Sequence, residues 1–378
     1  MIRAQLRTPA PCALLVLMLV LPLAACGDVP TGAPAPSTAP RASVVAPIQV
    51  LPWLTTYLVH PRAPTAREPA VLAGAGDIAA CYPGADVRAF RRPGRDHPAA
   101  QTARLLDGMP GATVMAVGDN AYEFGSIIDY LFCYHPTWGR HRARTRPATG
   151  NHEYLTPGAA GYFAYFGRRG APPLGYYSYS LGSWHIVVLN STTQVYTCWP
   201  PETNERLPGL PFNPTPAVLG PAAGRACLGD VPQQLWLAAD LARDNSVCTA
   251  VYFHHPRFSS GLHGNHYQMQ RIWDIMYANG VDLVIDGHDH LYERFAPQDP
   301  DGRPDAQYGI RQLTVGTGGA DFYSLATRQR NSEVLITGVH GVAALALGDG
   351  RYSWAFEAVD RSIQDSGSGD CHGAPHIM

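Results

Sequence analysis

Five short motifs in the chain combine residue types that bind metal ions. They are GDIA at 76–79, GDNAY at 118–122, GNHE at 150–153, YFHHP at 252–256 and GHDH at 287–290. Each lies beside a turn-forming Gly or Pro or directly after an apolar run, so its polar side chains can turn toward a common point. Hydrolases that use two metal ions about 3.5–4 Å apart need such oxygen and imidazole ligands. The motifs therefore predict a centre for two adjacent metal ions.

The two acidic motifs predict a bridging carboxylate. Asp77 and Asp119 each follow an apolar run and a Gly, so each carboxylate can point back toward a shared position. A single Gly-Asp pair is weak evidence because it more often caps a turn. Two such pairs at strand ends, together with GNHE and GHDH, are difficult to explain by coincidence.

The histidine motifs supply nitrogen ligands from two further strand ends. His288 and His290 are two residues apart, so on an extended segment they face the same side and can each bind one metal. His254 ends the apolar run of YFHHP and is the better ligand of its pair. We expect His255 to point the other way, toward a second layer of residues or toward the substrate.

The GNHE motif combines a neutral ligand with a proton donor. Asn151 offers a carbonyl oxygen to one metal. His152 then stands beside the site as a donor instead of a ligand, and Glu153 orients a neighbouring group.

The composition of the whole chain is that of a protein that can bury a sizeable core. It has 378 residues, 46% of them hydrophobic, and a net charge of −2, which gives no basic field for nucleic acid. All 28 basic residues are Arg, since the sequence contains no Lys. This excludes Schiff-base lysine chemistry and the phosphate-binding lysine of P-loop enzymes. A phosphate would have to be held by metals, His, Arg or backbone amides.

The N-terminus predicts export and lipid anchoring. Arg3 and Arg7 precede an apolar stretch at 13–25 that is shorter than the ~20 residues of a membrane-spanning helix. The stretch ends in LAAC, which resembles the bacterial lipobox, with Cys26 as the lipidated residue. The alternative is an ordinary secretory signal cleaved after the Ala pair. We expect a signal peptide at 1–25 and a protein anchored through Cys26 to the bacterial membrane, outside the cytoplasm.

Three further regions follow the signal. Residues 26–68 form a Pro/Ala-rich tether, of which the more apolar part from 48 onward could add an edge strand. Residues 69–365 form one catalytic domain, and residues 366–378 form a polar C-terminal tail. The Pro/Gly-rich segment 195–231 is predicted to be a functional lid or a surface flap closed by a disulfide.

Apolar runs alternate with helical patterns through the predicted domain. The runs lead into the acidic and histidine motifs, and helical spacing occurs at 99–109, 233–244 and 267–280. This alternation predicts an α/β domain with functional loops at the carboxyl ends of its strands. The last third lacks intervening helices and predicts antiparallel strands near 308–319, 341–348 and 351–359.

The cysteines predict disulfides. Apart from Cys12 in the signal and Cys26, six remain, an even number that suits an exported protein. Sequence proximity favours one pair across the Pro-rich loop, and two others would follow: Cys198–Cys227, Cys81–Cys133 and Cys248–Cys371. No C-x-x-C pair occurs, so a metal role for these cysteines is not expected.

In this order, the five motifs resemble the calcineurin-like metallophosphoesterases along the whole predicted domain. The resemblance implies a four-layer α/β/β/α sandwich. The first motif departs from the commonest family pattern, Asp-x-His, because position 79 is Ala. The second has Tyr122 three residues after Asp119, which is the mark of the purple acid phosphatase branch. Stretches such as FSSGLHG and GHDHLYERFAP resemble bacterial exported members of that branch.

The resemblance assigns roles to individual residues. One metal would be bound by Asp77, Tyr122 and His290, the other by Asn151, His254 and His288, with Asp119 bridging. On the substrate side the branch keeps a histidine nine residues after His254, which here is His263, and His255 is a second substrate-side candidate. His152 or His263 would protonate the leaving alkoxide after attack on phosphorus by a water that the metals acidify.

Charge counting supports a mixed metal pair. Two carboxylates, a phenolate and a bridging hydroxide carry four negative charges, which two divalent ions would cancel. One trivalent and one divalent ion leave a positive charge that attracts a phosphate dianion, and a phenolate suits a hard ion. We therefore expect Fe³⁺ in the first position and Zn²⁺, Mn²⁺ or Fe²⁺ in the second. If Tyr122 only packs, two divalent ions suffice.

The expected activity is hydrolysis of small-molecule phosphate monoesters. An alternative on the same fold is an extracytoplasmic phosphodiesterase or nucleotidase, and a third is a lipid-anchored protein with a non-catalytic metal site. Arg257 either contacts phosphate or, more in keeping with its position, forms a surface salt bridge. The Gly run at 315–319 lacks the following helix of a phosphate cradle, which favours a strand-end turn.

Overall fold

A computed structural model describes residues 68–82, 92–197 and 229–375. These residues all belong to one compact unit, Ile48–Met378. The predicted signal peptide, Cys26, almost all of the tether and the predicted Cys198–Cys227 pair lie outside the described residues.

The first sheet contains the strands that precede the acidic motifs. Its strands are β1 (Ala70–Ala75), β2 (Thr113–Val117), β3 (Thr145–Ala148), β11 (Gly341–Gly348), β12 (Arg351–Ala358) and β13 (Ile363–Asp370). Their order is β13-β12-β11-β1-β2-β3. β1, β2 and β3 run parallel, whereas β11, β12 and β13 pair antiparallel.

The second sheet contains the strands that precede the histidine motifs. Its strands are β4 (Tyr177–Leu181), β5 (Trp184–Val188), β6 (Cys248–Tyr252), β7 (Leu283–Asp286), β8 (Tyr292–Phe295), β9 (Arg311–Val315) and β10 (Ser332–Ile336). Their order is β10-β8-β9-β7-β6-β5-β4. The central strands β5, β6, β7 and β9 run parallel.

Helices and helical turns connect the strands. The α-helices of the described residues are α1 (Pro98–Asp107), α2 (Ile127–Asp129), α3 (Ala160–Phe166), α4 (Ser191–Tyr196), α5 (Val231–Arg243) and α6 (Gln270–Ala278). Helix α2 continues as a π turn at Tyr130–Tyr134. Single 3₁₀ segments occupy Trp138–Arg144, His152–Leu155, Pro157–Ala159, Gly167–Gly170 and Tyr267–Met269.

The buried strands have two apolar faces because they lie between layers. In β6, Ala250 and Tyr252 join the core cluster that contains residues of both sheets, while Val251 joins the cluster formed with helices α5 and α6. This alternation follows from the two-residue period of a strand. Strands buried on both faces have continuous apolar sequences, which explains why these strands could be predicted from the sequence.

The predicted fold class is confirmed. The chain is a mixed α/β protein with two sheets in a single domain. The apolar runs before the Asp77, Asp119, His254 and His288 motifs are β1, β2, β6 and β7, and the run at 185–191 contains most of β5. The helices predicted at 99–109, 233–244 and 267–280 correspond to α1, α5 and α6 with its preceding 3₁₀ turn.

Two sequence predictions about the last third were wrong. Strand β9 pairs antiparallel with β8 but parallel with β7, so the region is not purely antiparallel. The predicted polar tail at 366–378 begins inside β13, which pairs with β12. Its glycines leave room for aromatic rings, since a Cβ on Gly367 would lie 2.3 Å from Trp354 Cζ2. The Ser and Gly residues of this segment therefore led to the prediction of a tail where the structure has the edge strand β13.

Two of the three predicted disulfides lie within the described residues, and both are present. They join Cys81 to Cys133 and Cys248 to Cys371. The second connects the start of β6 to the residue after β13, so it links the two sheets. Each pair also lies close to a further potential metal ligand, His97 or Asp282. The sulfur atoms of each pair are bonded to each other, however, and are not free to bind a metal ion. Within the described ranges, no helix combines the length and apolar character needed to cross a membrane.

Candidate metal centre

The predicted ligands follow the carboxyl ends of strands from both sheets. In the first sheet, Asp77 follows β1, Asp119 follows β2 and Asn151 follows β3. In the second sheet, His254 follows β6, and the GHDH motif follows β7. Since the chain turns at the end of each strand, the side chains of the two sheets converge at one edge of the sandwich.

The backbone at three of these positions is strained. Asp77 has a φ of 57°, Asp119 of 46° and His288 of 71°, all in the left-handed region. Non-glycine residues occupy this region at a free-energy cost of order 1–3 kcal/mol, and such residues cluster at functional sites. In each case the unusual turn directs a polar side chain into the cluster.

Two motif glycines are required by close approach. A Cβ on Gly150 would lie 2.2 Å from Asp119 Oδ1, and a Cβ on Gly287 would lie 2.6 Å from Asp77 Oδ2. Any larger residue at either position would displace a carboxylate of the cluster. The glycines of GNHE and GHDH are therefore part of the construction of the centre.

The first donor set surrounds one point. Tyr122 Oη lies 2.9 Å from Asp77 Oδ1, 3.2 Å from Asp119 Oδ2 and 3.1 Å from His290 Nε2. His290 Nε2 also lies 3.2 Å from Asp77 Oδ1. Donors bound about 2.0–2.2 Å from one ion, at angles of roughly 90–110°, lie about 2.8–3.6 Å from one another. These distances fit a shared metal ion.

The second donor set lies directly beside the first. His254 Nε2 is 3.1 Å from Asn151 Oδ1, 3.3 Å from His288 Nδ1 and 3.1 Å from Asp119 Oδ2. These distances also lie in the range expected for donors that share one ion, so the set fits a second metal ion. Asp119 Oδ2 belongs to both sets, so this carboxylate occupies the position of a bridging ligand.

The charges of the cluster favour a cation. Burial disfavours a charged imidazole, but the carboxylates of Asp119 and Asp77 outweigh it and raise the pKa of His254 to about 10. Burial raises the pKa of Tyr122 well above its usual range, and the same carboxylates raise it further. The protonated His254 thus supplies positive charge beside the two carboxylates, and Tyr122 stays a neutral phenol, whereas a bound metal ion would displace both protons.

Glu153 holds the two loops of the first sheet together. This buried carboxylate accepts hydrogen bonds from the backbone N–H groups of Asp119 (3.0 Å), Asn120 (2.9 Å) and Gly150 (2.7 Å). It also accepts a hydrogen bond of 2.9 Å from the Tyr130 hydroxyl. The sequence indicated that Glu153 orients a neighbouring group. In the structure, that group is the backbone that carries Asp119 and Asn151.

His152 stands beside the cluster and outside both donor sets. Its backbone N–H donates to Asp119 Oδ1 at 2.8 Å, and its Nδ1 lies 2.6 Å from the carbonyl oxygen of Glu123. A carbonyl only accepts, so Nδ1 carries a hydrogen and Nε2 is the nitrogen left for other chemistry. That nitrogen is 3.9 Å from Asp119 Oδ2, and the ring lies 4.3 Å from that of Tyr122.

His263 and Tyr323 lie on the other side of the centre. The exposed His263 ring is 4.3 Å from that of His288, and its backbone N–H donates to Asp289 Oδ1 at 3.0 Å. Tyr323, 36% exposed, stacks on His290 at 4.0 Å and contacts His263 at 5.2 Å. Sequence reasoning missed Tyr323, because it lies in a loop without periodicity or a recognisable motif.

His255 does not have the position expected of a substrate contact. Its side chain is only 1% exposed, and its ring lies 4.6 Å from that of His288 and 5.2 Å from that of His266. It therefore contacts the second donor set from within the protein. Of the two alternatives for His255, this position agrees with the second layer of residues and not with a substrate contact.

Two other candidate phosphate contacts have structural roles. Arg257 is buried and donates to Gln270 Oε1 at 3.1 Å and 2.5 Å, so it is not on the surface as predicted. In the Gly run, the N–H of Gly316 donates to Leu291 and that of Gly318 donates to Gly76. These donors serve the backbone, which supports the strand-end turn over a phosphate cradle.

A protein-family model described as calcineurin-like phosphoesterase matches residues 75–292 of the chain. Purple acid phosphatase 18 from Arabidopsis thaliana is 36% identical over 93 residues, which are 23% of this chain and 21% of that relative. The chain thus spans about a fifth of the length of this curated relative in the alignment.

Solved structures with little sequence identity share the fold. Purple acid phosphatase PPD1 from yellow lupin (Lupinus luteus) seeds superposes with a TM-score of 0.55 and 16% identity, over 80% of this chain and 54% of that chain. GAP50, the anchor in the inner membrane complex of Plasmodium, gives 0.54 and 12%, over 82% and 90%. A structure of PhoD gives 0.52 and 9%, over 84% and 73%.

Proposed function

The chain belongs to the calcineurin-like phosphoesterase family, and we propose that it is an exported phosphatase that hydrolyses small phosphate monoesters with two adjacent metal ions. The observation that carries this proposal is the pair of donor sets that share Asp119 Oδ2. The resemblance of GDNAY to the purple acid phosphatase branch supports the finer assignment.

The two positions would hold different ions. Asp77, Tyr122 and His290 combine two kinds of hard anionic oxygen with one imidazole, which suits Fe³⁺. Asn151, His254 and His288 contribute no negative charge of their own, so Zn²⁺, Mn²⁺ or Fe²⁺ suits the second position. When bound, the ions supply Lewis acidity toward the phosphate oxygens and acidify a water.

The residues around the donor sets position the substrate and transfer a proton. His152 Nε2 is the free nitrogen of a ring fixed at both its backbone N–H and its Nδ1. With a proton on Nε2, His152 donates to the leaving alkoxide, which otherwise departs poorly. His263 and Tyr323 flank the opposite side, where an exposed imidazole and a hydroxyl can contact the phosphate oxygens.

The preference for monoesters follows from the charge of the mixed pair. A centre with one positive charge left over attracts a phosphate monoester dianion more strongly than a diester with a single negative charge. The same centre with two divalent ions loses this preference.

Export and anchoring through Cys26 rest on the LAAC sequence at 23–26. The two disulfides of the described residues support an oxidising compartment outside the cytoplasm. Mass analysis of the mature N-terminus tests this part separately: a diacylated Cys26 supports both export and anchoring, and an unmodified N-terminus contradicts the anchoring.

The test of function is hydrolysis of model monoesters and diesters by the natively purified protein, together with its metal content and visible spectrum. We expect faster monoester turnover, iron, and a broad phenolate-to-iron absorption band that disappears in Tyr122→Phe. A colourless protein with two zinc or manganese ions would reject the purple acid phosphatase assignment. Preference for diesters would reject the proposed substrate.

A further inference from the structure

One acidic residue of the GHDH motif belongs to neither donor set. Asp289 lies between His290, which belongs to the first set, and His288, which belongs to the second. The side chain of Asp289 is fully buried, so its carboxylate needs hydrogen-bond partners inside the protein. Those partners lie in the loop that carries His263.

The carboxylate of Asp289 binds this loop at two points. Its Oδ1 accepts the backbone N–H of His263 at 3.0 Å, and its Oδ2 accepts the hydroxyl hydrogen of Ser259. The hydroxyl oxygen of Ser259 in turn accepts the N–H of Gly261 at 3.0 Å. One carboxylate therefore holds the segment from Ser259 to His263 at its start and at its end.

The loop lies directly against this carboxylate. A Cβ on Gly261 would lie 2.2 Å from Asp289 Cγ and 2.4 Å from its Oδ1. The backbone of Asp289 is itself fixed, because its N–H donates to the carbonyl of Gly287 and its carbonyl accepts the N–H of Leu291. The loop is therefore packed and hydrogen-bonded onto a rigid part of the ligand segment.

The position of the His263 ring depends on this attachment. The ring lies 4.3 Å from that of His288 and 5.2 Å from that of Tyr323, but the residue is exposed, so packing alone does not fix it. The bond to Asp289 fixes the backbone from which the ring extends. Because Asp289 also lies between a ligand of each donor set, this carboxylate sets the distance from His263 to the two ion positions.

We propose that Asp289 is a positioning residue that holds His263 at a fixed place relative to the two donor sets, where the imidazole meets a bound phosphate. This inference rests on the proposed function, since it takes His263 as a phosphate contact. Asp289 then acts only through His263. Its replacement should cost no more than the loss of His263 itself, and should cost nothing further in a chain that already lacks the imidazole.

The test is a double-mutant cycle on the metal-loaded, full-length chain. Asp289→Asn keeps the side-chain volume but leaves one acceptor oxygen for two donors. We expect it to retain both ions and to weaken the binding of inorganic phosphate by about 3- to 10-fold, with a similar fall in kcat/KM for a monoester. Added to His263→Ala, the same change should alter either quantity by less than about 2-fold, because residues that act as one unit are not additive.

Asp282→Asn is the matched control. Asp282 is also a buried carboxylate that accepts two backbone N–H groups, from Thr249 at 2.8 Å and His372 at 2.6 Å. It precedes β7, whereas Asp289 follows it, so it lies at the end of the strand away from the centre. Phosphate binding should be unchanged in this variant.

Hydrogen exchange of the metal-free chain gives a readout that does not depend on turnover. Asp289→Asn should speed exchange in the peptide that contains Gly261 and His263, because the N–H of His263 loses its acceptor, and Asp282→Asn should not. Unchanged exchange in Asp289→Asn would overturn the proposal. If that variant does not fold, Ser259→Ala removes one partner of the carboxylate without altering the ligand segment, and it should give the same non-additive pattern with His263→Ala.

Two further outcomes of the cycle would overturn the proposal. Loss of an ion from Asp289→Asn would mean that Asp289 acts on His288 or His290, and a full additive loss in the double variant would mean that it acts without His263. A wild type that binds phosphate but does not hydrolyse monoesters would reject the proposed function instead, while the phosphate-binding cycle would still decide the role of Asp289.

Discussion

The two donor sets of the centre share Asp119 and differ in charge. The first adds the carboxylate of Asp77 and the phenol of Tyr122, whereas the second adds the amide of Asn151 and two imidazoles. Both sets draw ligands from both sheets, so neither sheet alone builds either position. The difference shows that one strand-end architecture can present two donor sets of different charge when the residues after each strand differ.

The largest expected effect is removal of the second ion. Since its other ligands are neutral, a mild chelator should remove it before the ion held by Asp77 and Tyr122. Monoester hydrolysis should fall by about 10⁴-fold or more, because a metal contributes several kcal/mol to the transition state. Metal analysis alongside activity checks this order. If both ions leave together, the proposed difference between the positions is wrong.

Replacement of His152 should separate metal binding from catalysis. His152→Ala should retain both ions of the centre and lower kcat by roughly 10²–10⁴-fold, the range for a general acid. The loss should be greater for alkyl than for aryl phosphates, because an alkoxide needs the proton more. His263→Ala provides the comparison, and a greater dependence on the leaving group in that variant would transfer the donor role to His263.

Glu153 should affect both positions together. Glu153→Gln replaces a carboxylate that accepts three backbone N–H groups with an amide that accepts less well. We expect a loss of metal affinity or activity of about 10–100-fold, the usual effect of a residue that orients ligands. Glu357→Gln, in a buried position of β12, is the matched control. An unchanged affinity in Glu153→Gln would contradict the orienting role.

The smallest effect should come from Tyr323, and it should concern the first position. The ring stacks on His290, and aromatic pairs contribute about 0.5–1.5 kcal/mol. Tyr323→Leu should therefore lower activity by roughly 2- to 10-fold and loosen iron more than the second ion. Activity and iron content measured together test this prediction. Preferential loss of the second ion would contradict the association of Tyr323 with the first position.

The sequence predicted those parts of the fold that are apolar on both faces. Strands such as β6 and β7 are short runs of Val, Ile and Leu, and their motifs follow at once. Strand β3 was not predicted because its four residues, TRPA, contain Arg and Pro. Strand β13 escaped because its small polar residues accommodate Trp354 and Tyr352, a requirement that only tertiary packing reveals.

The sequence predicted which residues form the candidate site more completely than it predicted the contacts between them. The spacing of the motifs and the family resemblance selected the residues of both donor sets, because these follow strand ends directly. The contact of His266 with His288 was not predicted, since His266 lies in a loop far from GHDH in sequence. The four histidines between 254 and 266 were the available signal, but only the fold places the rings of all four against that of His288.

The metal content of Asp119→Ala tests the central claim most directly. Because Asp119 Oδ2 lies 3.2 Å from Tyr122 Oη and 3.1 Å from His254 Nε2, its loss should remove two ions relative to the wild type. Asp77→Ala, which removes a ligand from the first set only, should lose one. If Asp119→Ala loses only one ion or none, the two positions do not share this carboxylate and the account of the centre is wrong.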